Sequence, residues 1–233
     1  MTQPPRALIL AAGRGERMRP LTDTCPKPLL TVRGKPLIVY HLEALAAAGV
    51  QDVVINTAWL EEQFPAALGD GQRWGLRLHY SMEQRDHGGA LETAGGIAKA
   101  LPQLAPDGVS PFWVVSGDVF LPGFDFPAAA VAAFAASARL GQLWLVPNAP
   151  HHPQGDFGLS DEGLALREAP EKLTWASVGL FRPALFADVP VGTRLALRPK
   201  LDEALAAGRL GAQRWAGAWT DVGTVERLAR LQA

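Results

Sequence analysis

The sequence is poor in cysteine, in excess charge and in long apolar runs. Cys25 is the only cysteine, so no disulfide can form within the chain, and a reducing compartment is expected. The 22 Lys and Arg residues nearly balance the 23 Asp and Glu residues, which gives no electrostatic reason to expect binding to nucleic acid or to a membrane surface. The longest apolar stretch, 128–136, is rich in alanine and far too short to span a bilayer.

The N-terminal sequence, Met-Thr-Gln-Pro-Pro-Arg, does not resemble a secretory signal, and the apolar run after it is interrupted by Gly13. We therefore predict a cytoplasmic protein. A chain of 233 residues is long enough for one domain with a substantial core. It contains no low-complexity tract and no hexapeptide repeat of the kind that forms parallel β-helices, and no partner protein is indicated.

Short apolar segments alternate with helical segments through about residue 146. Strands are predicted at 7–11, 52–56, 76–81, 112–116 and 143–146, and helices from Pro36 to Gly49, near Leu60, near Glu92 and near Pro127. This alternation predicts an α/β fold that is Rossmann-like, with a mainly parallel, mixed sheet and helices on both faces. Ligands of such sheets bind beyond the carboxyl ends of the strands.

After residue 147 the pattern changes to shorter segments. Strands are predicted at 157–159, 164–168, 174–181 and 215–221, and helices at 201–207, before Gly208, and at 224–231. We interpret 1–233 as a single domain. Its core is 1–146, residues 147–220 are a substrate-side insertion on the same sheet, and 221–233 form the terminal segment.

The loop after the first predicted strand carries the most specific pattern, LAAGRGERMRPLT at 10–22 followed by CPKPL at 25–29. Backbone amides freed by glycine, with Arg and Lys around them, suit a chain of phosphates. Two familiar phosphate loops do not fit the spacing. A Rossmann turn needs a third small residue where Met18 stands, and a Walker A loop needs Gly-Lys-Ser/Thr.

These residues resemble the signature of the sugar-phosphate nucleotidyltransferases, L-A-A-G-x-G-x-R-M-x-P-L-T followed by P-K-P. The resemblance covers about 8–228, and in detail the chain is similar to the short, single-domain N-acetylmuramate 1-phosphate uridylyltransferases of that family. It implies a glycosyltransferase-A-like nucleotidyltransferase fold. It also implies small-molecule substrates, an NTP and a sugar 1-phosphate, which give an NDP-sugar and pyrophosphate.

The resemblance implies UTP and N-acetylmuramic acid 1-phosphate as the substrate pair, in peptidoglycan sugar recycling. Two alternatives stay open. The same chemistry could act on glucose, mannose or heptose 1-phosphate with dTTP or GTP, or the chain could be a non-catalytic regulatory relative that binds a nucleotide-sugar.

Two aspartates that follow predicted strands are candidate metal ligands. Asp118 ends the run FWVVSGD and Asp221 opens DVGT. Mg²⁺ prefers one or two carboxylates plus substrate phosphates, although each aspartate could instead cap a turn or helix. Gly-Asp and Asp-Val-Gly-Thr match the two metal motifs of the family in the family's order, so the resemblance implies Mg²⁺ bound by Asp118 and Asp221.

The resemblance also implies the other site residues. Arg17 stabilises the departing pyrophosphate and Lys27 bridges the phosphates of both substrates, which makes the catalytic set Arg17, Lys27, Asp118 and Asp221. The implied nucleotide-binding residues are Ala12, Gly13, Gly15, Glu16, Arg17, Lys27, Glu83, Ala90 and Ser116, with Glu83 or its neighbour Gln84 contacting the base. The implied sugar-binding residues are Asp156, Gly158, Thr174 and Ser177, for which a β-turn followed by a core strand is the alternative interpretation.

One segment departs from the family pattern. Where the family has Glu-Lys-Pro, with a lysine that holds the sugar phosphate, this chain has Glu168-Ala169-Pro170. The resemblance therefore implies that Lys27 and the metal hold this phosphate without that lysine.

Overall fold

The computed structural model describes residues 4–232, so the first three residues and the last residue of the predicted domain lie outside the described part. The strands are β1 (Ala7–Leu10), β2 (Thr31–Val32), β3 (Lys35–Pro36), β4 (Asp52–Thr57), β5 (Arg77–Met82), β6 (Phe112–Ser116), β7 (Val119–Phe120), β8 (Gly141–Val146), β9 (Gly158–Leu159), β10 (Ala165–Leu166), β11 (Thr174–Phe181), β12 (Leu210–Arg214) and β13 (Thr220–Asp221). The helices are α1 (Leu21–Thr24), α2 (Leu37–Ala47), α3 (Gln63–Leu68), α4 (Glu83–His87), α5 (Glu92–Leu104), α6 (Ala128–Ala136), α7 (Leu197–Ala206) and α8 (Val225–Arg230).

A seven-stranded sheet forms the centre of the protein, in the order β12-β8-β11-β6-β1-β4-β5. Strands β6, β1, β4 and β5 are parallel neighbours, β12 is parallel to β8, and β11 is antiparallel to both β6 and β8. Within this sheet only β11 is therefore reversed. The predicted α/β class with a mainly parallel, mixed sheet is confirmed.

The central strands are apolar throughout because both faces of the sheet are covered. Alternate side chains point to opposite faces: Leu8 packs in one cluster with residues of α5 and α7, and Ile9 packs in the other with residues of α2. The sheet thus separates two apolar cores, and its carboxyl edge is left open for polar loops.

The strands after residue 147 include β11 and β12 of the same sheet. The division at 147 and 220 into a core and a substrate-side insertion stays a prediction. No helix among residues 4–232 is long and apolar enough to cross a membrane.

The predicted strand at 215–221 is wrong over most of its length. The strand that joins the sheet is β12, and only Thr220 and Asp221 of the predicted segment are extended partners of another strand. The sheet ends where the Trp215 N–H donates to the Leu145 carbonyl. The Trp215 ring then lies against Gly217, where a Cβ atom would come within 2.2 Å of it, so the chain bends there.

Several predicted boundaries also differ. Pro36 is the last residue of β3 and the N-cap of α2. The helix therefore begins at Leu37, one residue later than predicted. Helix α7 begins at Leu197, before the predicted 201, while Gly208, with φ of +65°, follows its end as expected.

Candidate active site

The glycine loop after β1 owes its shape to Gly15. This residue has φ of +69°, and a Cβ atom on it would lie 2.9 Å from Thr22 Cγ2. The Thr22 hydroxyl donates to the Gly15 carbonyl at 2.8 Å and so fixes the turn. Only glycine combines this backbone conformation with such a close approach.

Met18 explains why the loop is not a Rossmann turn. Its side chain is fully buried in a small apolar cluster that includes Val222 and Leu228. The loop is therefore packed against the segment 221–224, which carries the Asp-Val-Gly-Thr motif. This packing brings Asp221 to the neighbourhood of the glycine loop although they are about 200 positions apart in the chain.

A cavity of about 560 Å³ opens at the carboxyl ends of β1, β4 and β6. The predicted residues that line it are Ala12, Gly13, Gly15, Lys27, Ala90, Ser116 and Asp118. A second, smaller cavity contains Glu16 and Arg17 together with Gly223. Arg14, Gly15 and Lys27 line both cavities, so these residues lie at the boundary between them.

Glu83 and Gln84 have different places in the structure. Glu83 is fully buried, with Oε1 accepting from Asn56 Nδ2 at 2.8 Å and Oε2 accepting from the Leu91 N–H at 2.7 Å. Burial raises the pKa of the Glu83 carboxyl, against the lowering effect of these hydrogen bonds. Gln84 lines the larger cavity and Glu83 does not. The structure therefore brings Gln84 to the cavity wall and leaves Glu83 beneath it.

Gly96→Ala is expected to disturb this buried support. Its Cβ atom would lie 2.6 Å from Glu83 Oε1 and 2.7 Å from Asn56 Nδ2. Overpacking of this kind costs about 1–3 kcal/mol, so thermal unfolding should occur at a lower temperature and nucleotide binding should weaken in a titration. Gly89→Ala is the matched control, because nothing lies within 4 Å of its Cβ position. Equal Tm values for the two variants would contradict this packing.

Asp118 follows β6 and forms an ion pair with Lys27. Lys27 Nζ donates to Asp118 Oδ2 at 2.5 Å, and the Ser116 hydroxyl donates to Oδ1 at 2.7 Å. Burial raises the pKa of Asp118, but the Lys27 ammonium and these hydrogen bonds outweigh it and hold the pKa below its usual value. Asp118 is therefore a carboxylate at neutral pH.

His41 fixes the short strand β7 that follows Asp118. Its ring Nε2 donates to the Val119 carbonyl at 2.9 Å from inside the core. Burial lowers the pKa of His41 to about 4, so it holds this strand as a neutral ring at pH 7. The sequence analysis assigned His41 no role, since a lone histidine in a helix gives no signal of such a contact.

The backbone of Asp221 lies beside that of Asp118 through the pairing of β13 with β7, and Asp221 lines neither cavity. The Val222 N–H donates to the Asp118 carbonyl at 2.9 Å, and Asp221 is opposite Val119. Arg227 Nη1 donates to Asp221 Oδ2, whereas Oδ1 is buried and has no hydrogen-bond donor. His151 Nε2 lies 2.9 Å from Oδ1, but this nitrogen accepts from Arg227 Nη1 at 2.6 Å.

These two carboxylates fit a divalent cation that is shared with a substrate. An unpartnered buried carboxylate oxygen, Asp221 Oδ1, is a group whose desolvation a cation would compensate. Among residues 4–232, no group of three or more His, Cys, Asp or Glu side chains could hold a metal ion. A cation here would therefore take its remaining ligands from substrate phosphates and water, which is the habit of Mg²⁺.

The four predicted sugar-side residues do not line either cavity. Asp156 Oδ2 accepts from the Trp175 N–H at 2.8 Å, and the Thr174 hydroxyl donates to Asn148 Oδ1 at 2.8 Å. Gly158 pairs with Leu166 between β9 and β10, and Ser177 has φ of +59° in the irregular part of β11. The side chains of Asp156 and Thr174 hold the loop before β9 against β11.

The cavity also contains polar groups that the sequence analysis did not assign. Asn56 is the penultimate residue of β4, and its Oδ1 accepts from the Ala11 N–H at 2.9 Å, which anchors the glycine loop. The Arg14 guanidinium lies over the Trp59 ring, 4.6 Å from its centroid. Arg194 reaches the cavity from the segment before α7. A polar residue near the carboxyl end of an apolar strand could have indicated that Asn56 lies at the site. No sequence pattern around Arg194 indicates that it reaches the cavity.

A glycine loop with Arg and Lys side chains at the carboxyl edge of a parallel sheet is typical of a nucleotide-binding protein. Comparison with known proteins identifies which kind. Residues 6–233 match the model of the nucleotidyl transferase family, and the chain belongs to that family. It is therefore an enzyme of the nucleotidyltransferase class, as the resemblance in the sequence predicted.

Two relatives are similar over nearly their whole length. The N-acetylmuramate alpha-1-phosphate uridylyltransferase of Neisseria meningitidis serogroup B is 49% identical over 231 residues, which cover 98% of this chain and 97% of the relative. The protein of the same name from Caulobacter vibrioides is 35% identical, with 96% and 94% covered.

Solved structures share the fold. A Bacillus anthracis protein crystallised in complex with sucrose has a TM-score of 0.81 at 22% identity, with 97% of this chain and 93% of that chain covered. HddC from Yersinia pseudotuberculosis has a TM-score of 0.73 at 19% identity, with 97% of both chains covered. At these identities the likeness shows the fold alone.

Proposed function

We propose that this protein transfers the uridylyl group of UTP to N-acetylmuramic acid 1-phosphate, giving the UDP-sugar and pyrophosphate. The reaction would use Mg²⁺ and serve peptidoglycan sugar recycling in the cytoplasm. The observation that carries the reaction class is the place of Lys27, which lines both cavities and is paired with Asp118. The substrate pair is supported by the near-full-length similarity to two uridylyltransferases of that name.

The nucleophile needs no general base from the protein. A phosphate monoester has its second pKa near 6 and is largely a dianion at neutral pH. Catalysis then consists of holding two phosphate groups in line and neutralising their charge. Lys27 is proposed to contact the phosphates of both substrates, and Arg17, in the smaller cavity, to stabilise the pyrophosphate as it leaves.

Asp118 and Asp221 are proposed to hold the cation. When bound, Mg²⁺ would neutralise phosphate charge and orient the two substrates. In the absence of the cation, Lys27 and Arg227 compensate these carboxylates. The ion pairs explain how the fold tolerates two neighbouring carboxylates.

Gln84 is proposed to contact the base. It lines the larger cavity opposite the glycine loop, together with Ala90. A side-chain amide can accept from uracil N3–H and donate to a uracil carbonyl. Thymine differs from uracil by one methyl group, which changes selectivity by about 1–3 kcal/mol, so some activity with dTTP is expected.

Asp156, Gly158, Thr174 and Ser177 are proposed to form the sugar side of the site. The support is the hydrogen bonding of Asp156 and Thr174 between β11 and the loop before β9, a loop that also reaches Asp221 through His151. A non-catalytic nucleotide-sugar-binding relative is the competing function, and loss of a phosphate-loop cation or a metal aspartate would favour it. This chain keeps Arg17, Lys27, Asp118 and Asp221.

A matrix of substrates tests the proposal. Pyrophosphate release would be measured with UTP, dTTP, GTP, CTP and ATP, each against N-acetylmuramic acid, N-acetylglucosamine, glucose, mannose and heptose 1-phosphates. The highest kcat/KM is expected for UTP with the N-acetylmuramic acid compound. Preference for glucose or mannose 1-phosphate would overturn the sugar assignment, and no turnover with any pair would favour the non-catalytic relative.

A further inference from the structure

Arg227, on the first turns of α8, contacts the carboxylate of Asp221 and the ring of His151. Its Nη1 donates to Asp221 Oδ2 at 2.5 Å and to His151 Nε2 at 2.6 Å, and its side chain is only 13% exposed. A guanidinium group has donors and no acceptor, so both partners accept. This arrangement occupies one oxygen of Asp221. The other oxygen, Oδ1, is buried and receives no hydrogen bond, and it lies 2.9 Å from His151 Nε2.

The segment from Asp221 to Arg227 has features that permit this contact. The Thr224 hydroxyl accepts from the Arg227 N–H and begins α8. A Cβ atom on Gly223 would lie 2.4 Å from Arg227 Nη2 and 3.2 Å from Asp221 Oδ2. Gly223 does not have a positive φ, so its backbone does not require glycine. Glycine is instead required because a Cβ atom at this position would displace the Arg227 guanidinium group.

His151 connects this contact to the loop before β9. The next residue, His152, has its Nε2 3.2 Å from Asp156 Oδ1, and Asp156 accepts from the Trp175 N–H of β11. The side chain of Arg227 is therefore held between Asp221, the proposed metal ligand, and the loop before β9, which contains Asp156. A displacement of that loop would change the position of Arg227.

We propose that Arg227 is a positioning residue that orients the Asp221 carboxylate so that Oδ1 stays free to bind a cation. The proposal rests on the proposed function, in which Asp221 is a metal ligand. Hydrogen bonds to a ligating side chain orient it, and their loss typically costs 10–100-fold in metal affinity or activity. Mg²⁺ tolerates little departure from octahedral geometry, so a rotating carboxylate would be a poor ligand.

A simple counter-ion makes the opposite prediction. If Arg227 only balanced the charge of Asp221, it would compete with the cation, and its removal would tighten cation binding. Orientation and charge balance are therefore distinguished by the direction of the change in affinity.

The test is Mn²⁺ binding to the full-length protein without substrates, followed by the electron paramagnetic resonance signal of free Mn²⁺. Arg227→Met is expected to weaken binding about 10-fold or more. Arg227→Gln retains a donor and should recover part of the affinity. Gly223→Ala keeps the charge of Arg227 but displaces its guanidinium group, and should weaken binding as well. Arg230→Met is the matched control, an exposed arginine on the same helix that should bind Mn²⁺ like the wild type.

Mn²⁺ binding by Arg227→Met that is as tight as in the wild type, or tighter, would overturn the inference. Asp221→Asn separates this failure from failure of the proposed metal site. If Asp221→Asn binds Mn²⁺ normally, Asp221 is not a ligand and both proposals fail. If Asp221→Asn binds Mn²⁺ weakly while Arg227→Met and Gly223→Ala bind Mn²⁺ normally, only the positioning role of Arg227 fails. Thermal unfolding of each variant checks that it is folded. If Arg227→Met does not fold, the two single variants Arg227→Gln and Gly223→Ala carry the test.

Discussion

Replacing Asp221 with asparagine is expected to lower kcat by about 100-fold or more while the protein stays folded, and Asp118→Asn is expected to do the same. Asparagine has the size of aspartate but no charge, so the proposed site loses one of its two anionic ligands and should hold Mg²⁺ and the substrate phosphates less well. Losses of this scale are typical when a group that stabilises charge in the transition state is removed. Steady-state rates over a Mg²⁺ titration and thermal unfolding would measure both parts of the prediction.

The two aspartates differ in what their replacement disturbs. Asp118→Asn leaves the Lys27 ammonium without its carboxylate partner, and Asp221→Asn does the same to the Arg227 guanidinium. Asp161→Asn, at an exposed turn, is the control for the chemical change alone. Full activity in Asp221→Asn with an unchanged requirement for Mg²⁺ would refute the two-aspartate site.

The presence of the central strands and the mainly parallel class of the sheet could be predicted because the local sequence indicates both, whereas the strand order and the reversal of β11 were not predicted. A run such as Phe112–Ser116 is apolar on both faces, which indicates a strand buried in a parallel sheet. The segment 210–221 could not be predicted in the same way. There, the sheet edge is set by pairing with β8, a partner distant in the chain, and the Trp215 ring bends the backbone over Gly217.

The phosphate side of the site could be predicted because its residues are adjacent in the sequence. Glu83 and Gln84 show the limit of this approach. Strand β5 ends at Met82 and α4 begins at Glu83, so the period of the side chains changes from two to 3.6 at that point. Which neighbour faces the cavity is then decided by the buried partners Asn56 and Leu91.

Contacts between remote segments were also beyond the sequence analysis. The sequence predicts a terminal helix that contains Arg227 and gives no signal for His151. In the structure these two side chains meet at Asp221. The packing of Met18 against Val222 and Leu228, together with the pairing of β13 with β7, brings the segment of Arg227 to the glycine loop.

Lys27→Ala is expected to lower kcat/KM by about 100-fold or more and to raise the KM for the sugar 1-phosphate. The lysine lines both cavities, and its side chain is only 12% exposed, so its charge is little screened by water. Glu168-Ala169-Pro170 supplies no lysine to share the phosphate. Lys27→Arg is expected to restore little, because the ammonium is enclosed between Asp118 and the glycine loop and a guanidinium is wider and planar.

Lys172→Ala is the informative control for this prediction. Lys172 follows the Glu168-Ala169-Pro170 segment by two residues, and its Nζ pairs with Glu168 at 3.3 Å near the surface. It lines neither cavity, so its removal should leave the KM for the sugar phosphate unchanged. A raised KM in Lys172→Ala together with a normal KM in Lys27→Ala would show that the sugar phosphate is held by the displaced lysine. The role proposed for Lys27 would then be wrong, since the phosphate would be anchored from the β11 side and not from the glycine loop.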